Sequence, residues 1–374
     1  MLPLAAVLLS DFDYDLPAES IAQQPLADRA ASRMLLLERS SGCLGDGLFR
    51  ELPARLRGNE LVVVNNARVI PARLFARRAG IRAESAGRRS RARKQHLASR
   101  IEVLLARRID SGLWEALVRP GRKVGTGERL IFEGANLEAE VVSRGAYGLR
   151  QLRFHSGSES NFSELIDKIG HVPLPPYIRR SDEAADRERY QTVFAKSAVA
   201  VAAPTAGLHF TPEILRELRA KGAEIAEITL EVGLGTFQPI RCQNLDQHVM
   251  HREAYEISQD SAVAIASARR DQRPILAVGT TVVRALEDAG QKAIQAGRAA
   301  EEIAAGRAKA DLFIRPGHRF ALIDQLLTNF HLPRSTLLLL VCAFAGRDAV
   351  LASYRHAVAS GYRFYSYGDC MLIR

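Results

Sequence analysis

The chain has 374 residues, of which 47% are hydrophobic and 25% are charged, the usual balance of a globular protein with a full hydrophobic core. This length predicts two or three domains, and the composition excludes a collagen-like, disulfide-scaffold or wholly disordered chain. The 52 Lys and Arg residues against 42 Asp and Glu residues give a net charge of +10, which favours an anionic partner such as nucleic acid.

The first element of the regular fold is a short buried strand. Within residues 11–70, the continuous apolar run Leu61–Val64 predicts a strand that joins a larger sheet formed further along the chain. The apolar residues Met1–Leu9 lack a basic n-region and are too short for a signal sequence. We therefore expect residues 1–71 to belong to the same domain as later strands.

Residues 72–155 show a repeated strand-and-turn pattern. Turn signals such as Asp110-Ser-Gly112 and Pro120-Gly121 separate short segments of β-forming residues, which is typical of an all-β barrel or sandwich. The predicted strands are Leu74–Ala76, Arg100–Arg107, Leu113–Val118, Glu128–Phe132, Leu137–Val142 and Leu149–Phe154. We predict a small antiparallel β-barrel of about six strands, inserted into the surrounding chain.

A strongly basic segment lies near the start of this region, at residues 77–100. Its nine Lys and Arg residues stand against a single acid, Glu84, so it carries most of the formal charge of the chain. It has few large apolar residues, which favours a mobile loop. Two interpretations stay open: a solvated insertion without a role, or a contact to RNA phosphates with Arg91 and Arg93 as candidates.

After residue 158 the pattern changes to alternating strands and helices. The predicted strands are Val199–Ala203, Ile225–Val232 and Pro274–Val278. The first predicted helix runs from near Asn161 to Gly170, and the second from Thr211 to about Ala220. A third follows the Gly279–Thr281 turn and ends at Asp288, with Gly290 as its cap. An apolar helix starts at Ser335, and residues 291–310 are predicted to form a further helical excursion.

These strand–turn–helix–strand units predict an α/β fold, with a mostly parallel or mixed sheet and flanking helices. The α/β domain is then discontinuous, made of residues 1–71 and 156–374, with the small antiparallel β-barrel domain inserted at 72–155.

The cysteines and the apolar segments favour a cytoplasmic protein. No two cysteines form a C-x-x-C pair, so free thiols in a reducing compartment fit better than a disulfide framework or a zinc ribbon. The longest apolar run, Leu337–Ala345, is about half a membrane span. The four cysteines are Cys43, Cys242, Cys342 and Cys370.

Polar and glycine residues gather in turns that follow predicted strands, where open α/β sheets place their ligands. Four such segments are Ala203–Phe210, Glu231–Phe237, His248–Glu253 and Val278–Arg284. A fifth segment, Thr328–Pro333, lies in a predicted loop just before the apolar helix from Ser335. The residues alone predict an α/β enzyme with a polar, histidine-rich cleft and a basic face.

Each of these segments also has a purely structural interpretation. A lone histidine is more often a hydrogen-bonded structural residue than a catalyst, and the Gly279-Thr-Thr281 turn is also an ordinary helix start. Gly233-x-Gly235 is not a dinucleotide fingerprint, because Gln238 replaces the third glycine and Pro239 blocks a following helix. A metal site remains an alternative, with ligands drawn from His209, His248, His251 and Glu253.

The same segments resemble the S-adenosylmethionine:tRNA ribosyltransferase-isomerase family of queuosine biosynthesis over nearly the whole chain. The two most specific strings are Pro204–Phe210 and Thr328–Pro333. The other matching strings are Asp11–Pro17, Ile21–Pro25, Val69–Arg73, Pro173–Ile178, Arg189–Val193, Gly235–Phe237, His248-x-x-His251, Gly279–Thr281 and Tyr362–Asp369. The fold that this resemblance implies, an α/β domain with an inserted β-barrel, agrees with the pattern of strands and helices.

The chain departs from the family pattern in a few places. Residues 77–99 and the segment after Gly290 are longer than expected, and Met1–Leu9 precedes the usual start. Ala198-Val199 stands where a Pro-Gly is common, and Glu231 stands where a histidine is common, which puts a catalytic role at position 231 in doubt.

The resemblance implies a reaction in which the ribosyl part of S-adenosylmethionine moves onto the aminomethyl group of 7-aminomethyl-7-deazaguanine. The acceptor base lies at the wobble position of a tRNA, the product is epoxyqueuosine, and adenine and methionine leave. The sulfonium acidifies the ribose C5′ protons, so a modest base such as a neutral histidine suits the first step. S-adenosylmethionine is a co-substrate, and we expect no tightly bound cofactor, no metal, no membrane, no obligatory protein partner and a monomer.

The resemblance also assigns candidate roles to single residues. His209 is the first choice for general base and His331 the second, with Asp369 orienting the tRNA aminomethyl group. The candidates for binding the substrate are Thr205, Gly207, Gly235, Thr236, Phe237, His248, His251, Gly279, Thr280, Thr281, Arg284, Asn329 and Tyr367. The candidates for binding RNA are Arg91, Arg93, Arg179, Arg180 and Tyr190, and Tyr190, Phe237 and Phe330 are candidates either for stacking on a base or for core packing.

Three rival functions make different predictions. A conventional methyltransferase normally shows a Gly-x-Gly-x-Gly turn after its first strand, which is not visible here. A non-catalytic RNA-binding protein built on the barrel has little need for a cleft rich in His and Thr in the other domain. A metal-dependent hydrolase is the third, and metal analysis of the purified protein tests it.

Overall fold

The computed structural model describes residues 8–80, 99–155, 159–231, 233, 240, 244–248, 250 and 252–374. The chain divides into two units. The first is Met1–Arg68, Pro175–Arg180 and Arg189–Arg374, and the second is Val69–Leu174 and Ser181–Glu188.

The strands and helices of the described residues are numbered in chain order. The strands are β1 Arg33–Leu37, β2 Leu44–Leu48, β3 Leu61–Asn65, β4 Ala67–Val69, β5 Arg73–Arg78, β6 Ile101–Asp110, β7 Leu113–Arg119, β8 Arg129–Phe132, β9 Glu138–Arg144, β10 Leu149–His155, β11 Ser197–Ala200, β12 Glu224–Leu230, β13 Glu253–Ile257, β14 Ile275–Val278, β15 Gly306–Ala310, β16 Gln325–Asn329 and β17 Cys370–Ile373. The α-helices are α1 Leu52–Arg55, α2 Glu159–Ile169, α3 Asp186–Arg189, α4 Pro212–Ala220, α5 Gln259–Arg270, α6 Thr280–Gln295, α7 Thr336–Ala345 and α8 Arg347–Ala359. The short 3₁₀ helices include Phe49–Glu51, Gly121–Lys123, Ala146–Gly148 and Thr205–His209.

The first unit contains a mixed sheet of nine strands in the order β15-β13-β12-β3-β14-β16-β17-β1-β2. The central strands β12, β3, β14 and β16 are parallel to one another. β13, β15 and β2 add antiparallel edges, and β17 runs antiparallel to β16. The predicted α/β class is confirmed, and the sheet is of the mixed kind.

Helices cover both faces of this sheet. Along β3, Leu61 and Val63 pack in one apolar core together with residues of α5 to α8. Val62 and Val64 pack in a second core together with residues of α4. Because both faces of β3 are buried, its sequence is a continuous apolar run and not an alternating one, which is why the strand is visible in the sequence.

The second unit contains a closed six-stranded barrel, in the order β10-β7-β6-β5-β8-β9, with antiparallel neighbours. The predicted barrel of about six strands is confirmed. The helix α2 belongs to the same unit, because the Phe162 ring lies 4.9 Å from the Phe154 ring and 5.8 Å from Trp114. The unit is therefore longer than the segment 72–155.

Two predicted elements of the first unit were wrong. The apolar run Val199–Ala203 is not a strand of the central sheet: β11 ends at Ala200, pairs with β4 in a separate two-stranded sheet, and exposes Val199. The 291–310 segment is helical only as far as Gln295, where α6 ends, and it also contains the edge strand β15. Short apolar runs do not distinguish a sheet strand from a buried loop.

The predicted end of the helix at Asp288 was also wrong, because α6 continues through Gly290 to Gln295. A methyl group on Gly290 would lie 3.1 Å from Leu322 Cδ1, so this glycine permits close packing and does not end the helix. Within the described residues, no single helix is long and apolar enough to cross a membrane, and α7 with α8 passes that test only as a pair bent by 115°. Cys43, Cys342 and Cys370 are free thiols, and Cys242 lies outside the described residues.

Candidate functional site

Four neighbouring parallel strands, β12, β3, β14 and β16, end at the same edge of the nine-stranded sheet. The segments that the sequence analysis selected follow three of these strands: Glu231 follows β12, Gly279 follows β14, and His331 lies two residues beyond β16. The sheet therefore gathers these segments at its carboxyl edge, where open α/β folds bind their ligands.

His209 lies at the end of the buried 3₁₀ helix Thr205–His209. Its Nε2 lies 3.3 Å from Asn329 Oδ1, and its Nδ1 lies 2.9 Å from Ser32 Oγ. The Asn329 amide nitrogen donates to the carbonyl of Tyr365 at 2.8 Å, so the amide oxygen faces the imidazole. His209 must then carry its proton on Nε2 and present the lone pair of Nδ1 to the Ser32 hydroxyl.

The surroundings keep His209 uncharged. The pKa of His209 is lowered from its ordinary value to about 4, chiefly by burial and also by the positive charges of Arg29 and Arg363, against the opposite effect of the Asn329 hydrogen bond. The imidazole is therefore neutral at pH 7. Ser32 Oγ also lies 3.2 Å from the Arg29 carbonyl, which competes with Nδ1 for the hydroxyl proton.

The Gly279 turn lies directly beside the 3₁₀ helix that ends at His209. Gly279 has a φ of 95°, a conformation that favours glycine, and its amide donates to the Leu327 carbonyl at 2.8 Å. A methyl group on Gly279 would lie 3.7 Å from Ala206 Cβ. Thr280 and Thr281 are buried in the first turn of α6. The structure thus brings together His209, Asn329 and the Gly279–Thr281 turn.

His331 lies on the other face of the same strand. Its Nε2 lies 2.8 Å from Thr328 Oγ1, whereas Asn329, the next residue of β16, faces His209. Successive side chains of a strand point to opposite faces, so the two histidines flank β16 from opposite sides. The His331 amide donates to the Tyr354 hydroxyl at 3.1 Å, and burial lowers the pKa of His331 to about 3.

The side chains of Asp369 and Arg284 bind other groups of the protein. The two carboxylate oxygens of Asp369 accept backbone N–H groups from Arg33 at 2.9 Å and from Arg363 at 2.8 Å, and burial raises its pKa. Arg284 forms a buried ion pair with Glu253 on β13. Both side chains stabilise the frame of the first unit.

Several predicted residues lie in the core or at its margin. Tyr190 and Tyr367 are buried with their rings edge to face at 5.8 Å, and Phe330 is buried among Tyr354, Tyr362 and Phe364. In this structure these rings present no open face to a base, because their partners are aromatic side chains of the core. Thr205 is half-buried, and the half-buried His248 ring packs edge-on against Phe313 at 5.1 Å.

The remaining predicted residues lie on the surface, in a tightly packed position or outside the described residues. Arg179 is exposed, and Arg180 is half-buried with its Nε donating to the Gln23 carbonyl at 3.0 Å. Gly207 is packed tightly: a methyl group there would lie 2.7 Å from Phe194 Cζ. Gly235, Thr236, Phe237, His251, Arg91 and Arg93 lie outside the described residues.

The sequence analysis missed several polar groups around His209. Within the described part of the chain, Thr192 Oγ1 and Arg363 Nη1 are buried without a hydrogen-bond partner, and the charge of Arg363 acts on His209. The Tyr365 hydroxyl is also buried without a partner, but it lies on the side of Tyr14 and Tyr354. The carbonyl of Tyr365 holds Asn329, and the methyl group of Thr192 lies beside Gly207. Buried polar groups without partners cost about 1–3 kcal/mol each, so such a cluster is expected where a polar ligand binds.

Tyr365 also has an unusual backbone. Its φ is 70°, in the left-handed region that few non-glycine residues adopt, and its ring stacks on Tyr177 at 4.3 Å. Tyr365 and Arg363 lie inside the string Tyr362–Asp369, which was their only signal in the sequence. Thr192 lies inside the string Arg189–Val193, whereas no sequence motif pointed to Ser32.

Two of the residues proposed as metal ligands, Glu253 and His209, contact other side chains. Glu253 pairs with Arg284, and both ring nitrogens of His209 face Ser32 and Asn329. Among the described residues, no three His, Cys, Asp or Glu side chains lie together in an arrangement that would hold a metal ion.

A polar cavity of about 840 Å³ lies at the opposite edge of the sheet. Its lining includes Glu60, Pro274 and Gln325, at the starts of β3, β14 and β16. None of the predicted site residues lines it, so it does not belong to the His209 cluster.

Comparison with known proteins identifies the family of this chain. Residues 9–373 match the model of a family described as queuosine biosynthesis protein. An S-adenosylmethionine:tRNA ribosyltransferase-isomerase from Solibacter usitatus is 51% identical over 98% of this chain and 99% of its own length, and one from Moorella thermoacetica is 48% identical over 98% and 99%.

A solved structure is also similar. The crystal structure of an S-adenosylmethionine tRNA ribosyltransferase from Thermotoga maritima matches with a TM-score of 0.52 and 36% identity, over 98% of this chain and 100% of that one. The family model, the curated relatives and the solved structure all match nearly the full chain. This chain therefore belongs to the queuosine biosynthesis protein family.

Proposed function

We propose that this protein transfers and isomerises the ribosyl group of S-adenosylmethionine onto 7-aminomethyl-7-deazaguanine at the wobble position of tRNA, releasing adenine and methionine. The observation that carries the proposal is the 51% identity, over 98% of the chain, to a relative named for this activity. The cluster of His209, Asn329 and the Gly279 turn supports it, because these residues lie where an α/β sheet binds its ligand.

The sulfonium of the co-substrate makes the chemistry accessible to a weak base. Its positive charge acidifies the adjacent C5′ protons of the ribose, so a neutral imidazole can remove one of them. Adenine then departs, the tRNA amine attacks, and ring closure expels methionine. Each step moves a proton, and neutral hydrogen-bonding groups in a buried site suit such transfers.

His209 is the proposed base, and Nδ1 is the atom that accepts the proton. Asn329 holds the ring with its proton on Nε2, and burial, together with the charges of Arg29 and Arg363, lowers its pKa and keeps the imidazole neutral. In the bound state the ribose C–H would replace the Ser32 hydroxyl at Nδ1. His331 is the second choice, and its position against Thr328 supports it less, since its surroundings are rings of the core.

The polar groups without partners are proposed to bind the co-substrate. Arg363 Nη1 suits the methionine carboxylate, and Thr192 Oγ1 suits a ribose hydroxyl. Gly207 and Gly279 let the backbone approach the nucleoside, with Thr280 and Thr281 at the helix N-terminus. Asp369 and Arg284 enter the proposal as residues that position this site through β1 and α6.

The tRNA is the proposed second substrate, with its anticodon base unstacked into the site. Arg179, Arg180 and the basic segment 77–100 are proposed phosphate contacts, most of that segment lying outside the described residues. Deleting residues 80–98 should flatten the dependence of tRNA affinity on salt, and an unchanged dependence would leave the segment without a role. We further propose a cytoplasmic monomer without a tightly bound cofactor, which light scattering and mass analysis of the purified protein test.

Incubation with S-adenosylmethionine and tRNA that carries the precursor base tests the function. We expect one free adenine for each base modified. S-adenosylhomocysteine in place of adenine would identify a methyltransferase, and neither product from a folded protein would overturn the proposal.

A further inference from the structure

One end of the barrel exposes basic side chains and an aromatic ring on two adjacent turns. The turn Gly121–Lys123 follows β7, and the turn Ala146–Gly148 joins β9 to β10. A methyl group on Gly121 would lie 3.3 Å from Gly148 Cα, so the two turns are in direct contact. Side chains from both turns therefore share one surface.

The basic residues of this surface are exposed and lack acidic partners. They are Arg119, Arg122, Lys123 and Arg144, and none of them forms an ion pair with a described residue. Elsewhere on the barrel the pattern differs: Arg73 pairs with Glu102, Arg77 with Glu133, and Arg107 with Glu115. The four uncompensated charges at this end thus form a local positive field.

Tyr147 lies on the second of these turns, Ala146–Gly148. Its side chain is 77% exposed, the most exposed large hydrophobic residue of the described chain. Its φ is 54°, a left-handed conformation that is unfavourable for a bulky residue and that glycine would adopt without strain. An aromatic ring displayed in solvent at a strained position indicates a use for the ring.

Two buried arginines hold the first turn in place. Arg150 donates from Nε to the Val124 carbonyl at 2.9 Å and from Nη2 to the Gly121 carbonyl at 2.5 Å. Arg78 donates from Nη1 to the Lys123 carbonyl at 3.0 Å. Because the backbone of the turn is fixed from two sides, Arg122 and Lys123 are presented from a rigid support.

We propose that the barrel-end patch, made of Arg119, Arg122, Lys123, Arg144 and Tyr147, binds the tRNA. The proposal rests on the proposed function, which supplies the tRNA as a substrate. Cations without acidic partners bind phosphates by releasing counterions, and an exposed ring stacks on an unpaired base. Uncompensated cations around one exposed aromatic ring match single-stranded RNA better than an acidic protein, which offers no base to stack.

The test measures binding of tRNA to full-length variants without S-adenosylmethionine, by fluorescence anisotropy at several salt concentrations. R122A/K123A should weaken binding about tenfold at 0.1 M salt and reduce the slope of log K against log salt by about 1–2. The control R107A/R108A removes two charges from the other end of the β6–β7 hairpin and should change neither value.

Tyr147→Gly separates binding from folding. Glycine relieves the backbone strain, so this variant should be at least as stable as the wild type, yet bind tRNA about fivefold more weakly or worse with an unchanged salt slope. In turnover the losses should appear in KM for tRNA.

Unchanged affinity and slope in both patch variants would overturn the proposal and return the surface to another partner, such as an acidic protein. Failure of the proposed function is distinguishable, because the wild-type protein would then release no adenine whatever the binding results.

Discussion

The two buried histidines, His209 and His331, flank the end of β16 from opposite faces and contact different groups. His209 contacts an amide and a hydroxyl that come from distant parts of the chain, Asn329 and Ser32. His331 contacts Thr328, three residues away, and its backbone is held by the hydroxyls of Tyr14 and Tyr354. Burial lowers the pKa of both, so a low pKa alone does not mark a catalytic histidine.

The difference lies in what surrounds each ring. Two buried polar atoms without hydrogen-bond partners in the described chain, Thr192 Oγ1 and Arg363 Nη1, lie on the His209 side, whereas aromatic rings of the core surround the segment of His331. A site that awaits a polar ligand leaves polar groups unsatisfied, and a structural site satisfies them. The comparison therefore supports the proposal that His209 acts in the chemistry and His331 in stability.

The largest expected effect separates the two residues by the same substitution. His209→Gln should lower kcat for adenine release at least 100-fold, the usual contribution of a general base, while calorimetry shows S-adenosylmethionine still binding. His331→Gln should keep kcat within threefold and lose stability instead. Activity of His209→Gln within threefold of wild type would remove His209 as the base, and a 100-fold loss in His331→Gln would exchange the two assignments.

The second prediction uses pH. Because the folded pKa of His331 is about 3, below its ordinary value near 6.5, the folded state binds fewer protons than the unfolded state between these values. Stability from this residue is therefore complete above pH 6.5 and falls by about 1.4 kcal/mol per pH unit on acidification. Urea unfolding at pH 7.5, 6 and 5 should show this slope reduced in His331→Gln.

His209→Gln should reduce the slope in the same way, but only down to pH 4, because the folded pKa of His209 is about 4. Equal slopes in the wild type and both variants would show that neither imidazole is kept neutral by the fold.

The sequence predicted the parts of this comparison that depend on local pattern. The His209 segment and the Gly279 turn follow predicted strands, whereas the strand β16 was not predicted, and β3 was visible because burial on both faces makes its sequence continuously apolar. The partners were not predictable, since Ser32 lies 177 residues from His209 along the chain. Gly290 was misread for the same reason, because its packing partner Leu322 comes from a distant segment.

The edge strand β15 could not be predicted from the sequence either. β15 has the composition of a loop or helix, and only its pairing with β13 makes it a strand. The inner strands of the sheet and of the barrel carry their own signal, whereas an edge depends on the neighbour that it pairs with.

The third prediction compares the two hydroxyl partners. Ser32→Ala removes a donor to the lone pair of His209 Nδ1, so the pKa of His209 should rise and kcat should change less than tenfold in either direction. Thr328→Val removes the matching partner of His331 and should leave kcat unchanged at a cost of about 1–2 kcal/mol in unfolding free energy. Nuclear magnetic resonance titration of the imidazoles and urea unfolding measure the two effects, and a kcat that depends on Thr328 would break the distinction.

The smallest expected effects come from two glycines on the His209 side, where substitution by alanine destabilises the fold for different physical reasons. Gly279→Ala has room for its methyl group, whose nearest neighbour is 3.7 Å away, but must adopt a φ of 95°, so unfolding free energy should fall by about 1 kcal/mol. At Gly207, outside the left-handed region, the methyl group of alanine would meet Phe194 Cζ at 2.7 Å and Thr192 Cγ2 at 2.8 Å, which should cost about 1–3 kcal/mol. Because the second clash is with side chains, Phe194→Leu should restore part of the stability of Gly207→Ala and none of that of Gly279→Ala. Equal rescue of both variants would show that the Gly279 turn is limited by space and not by backbone conformation.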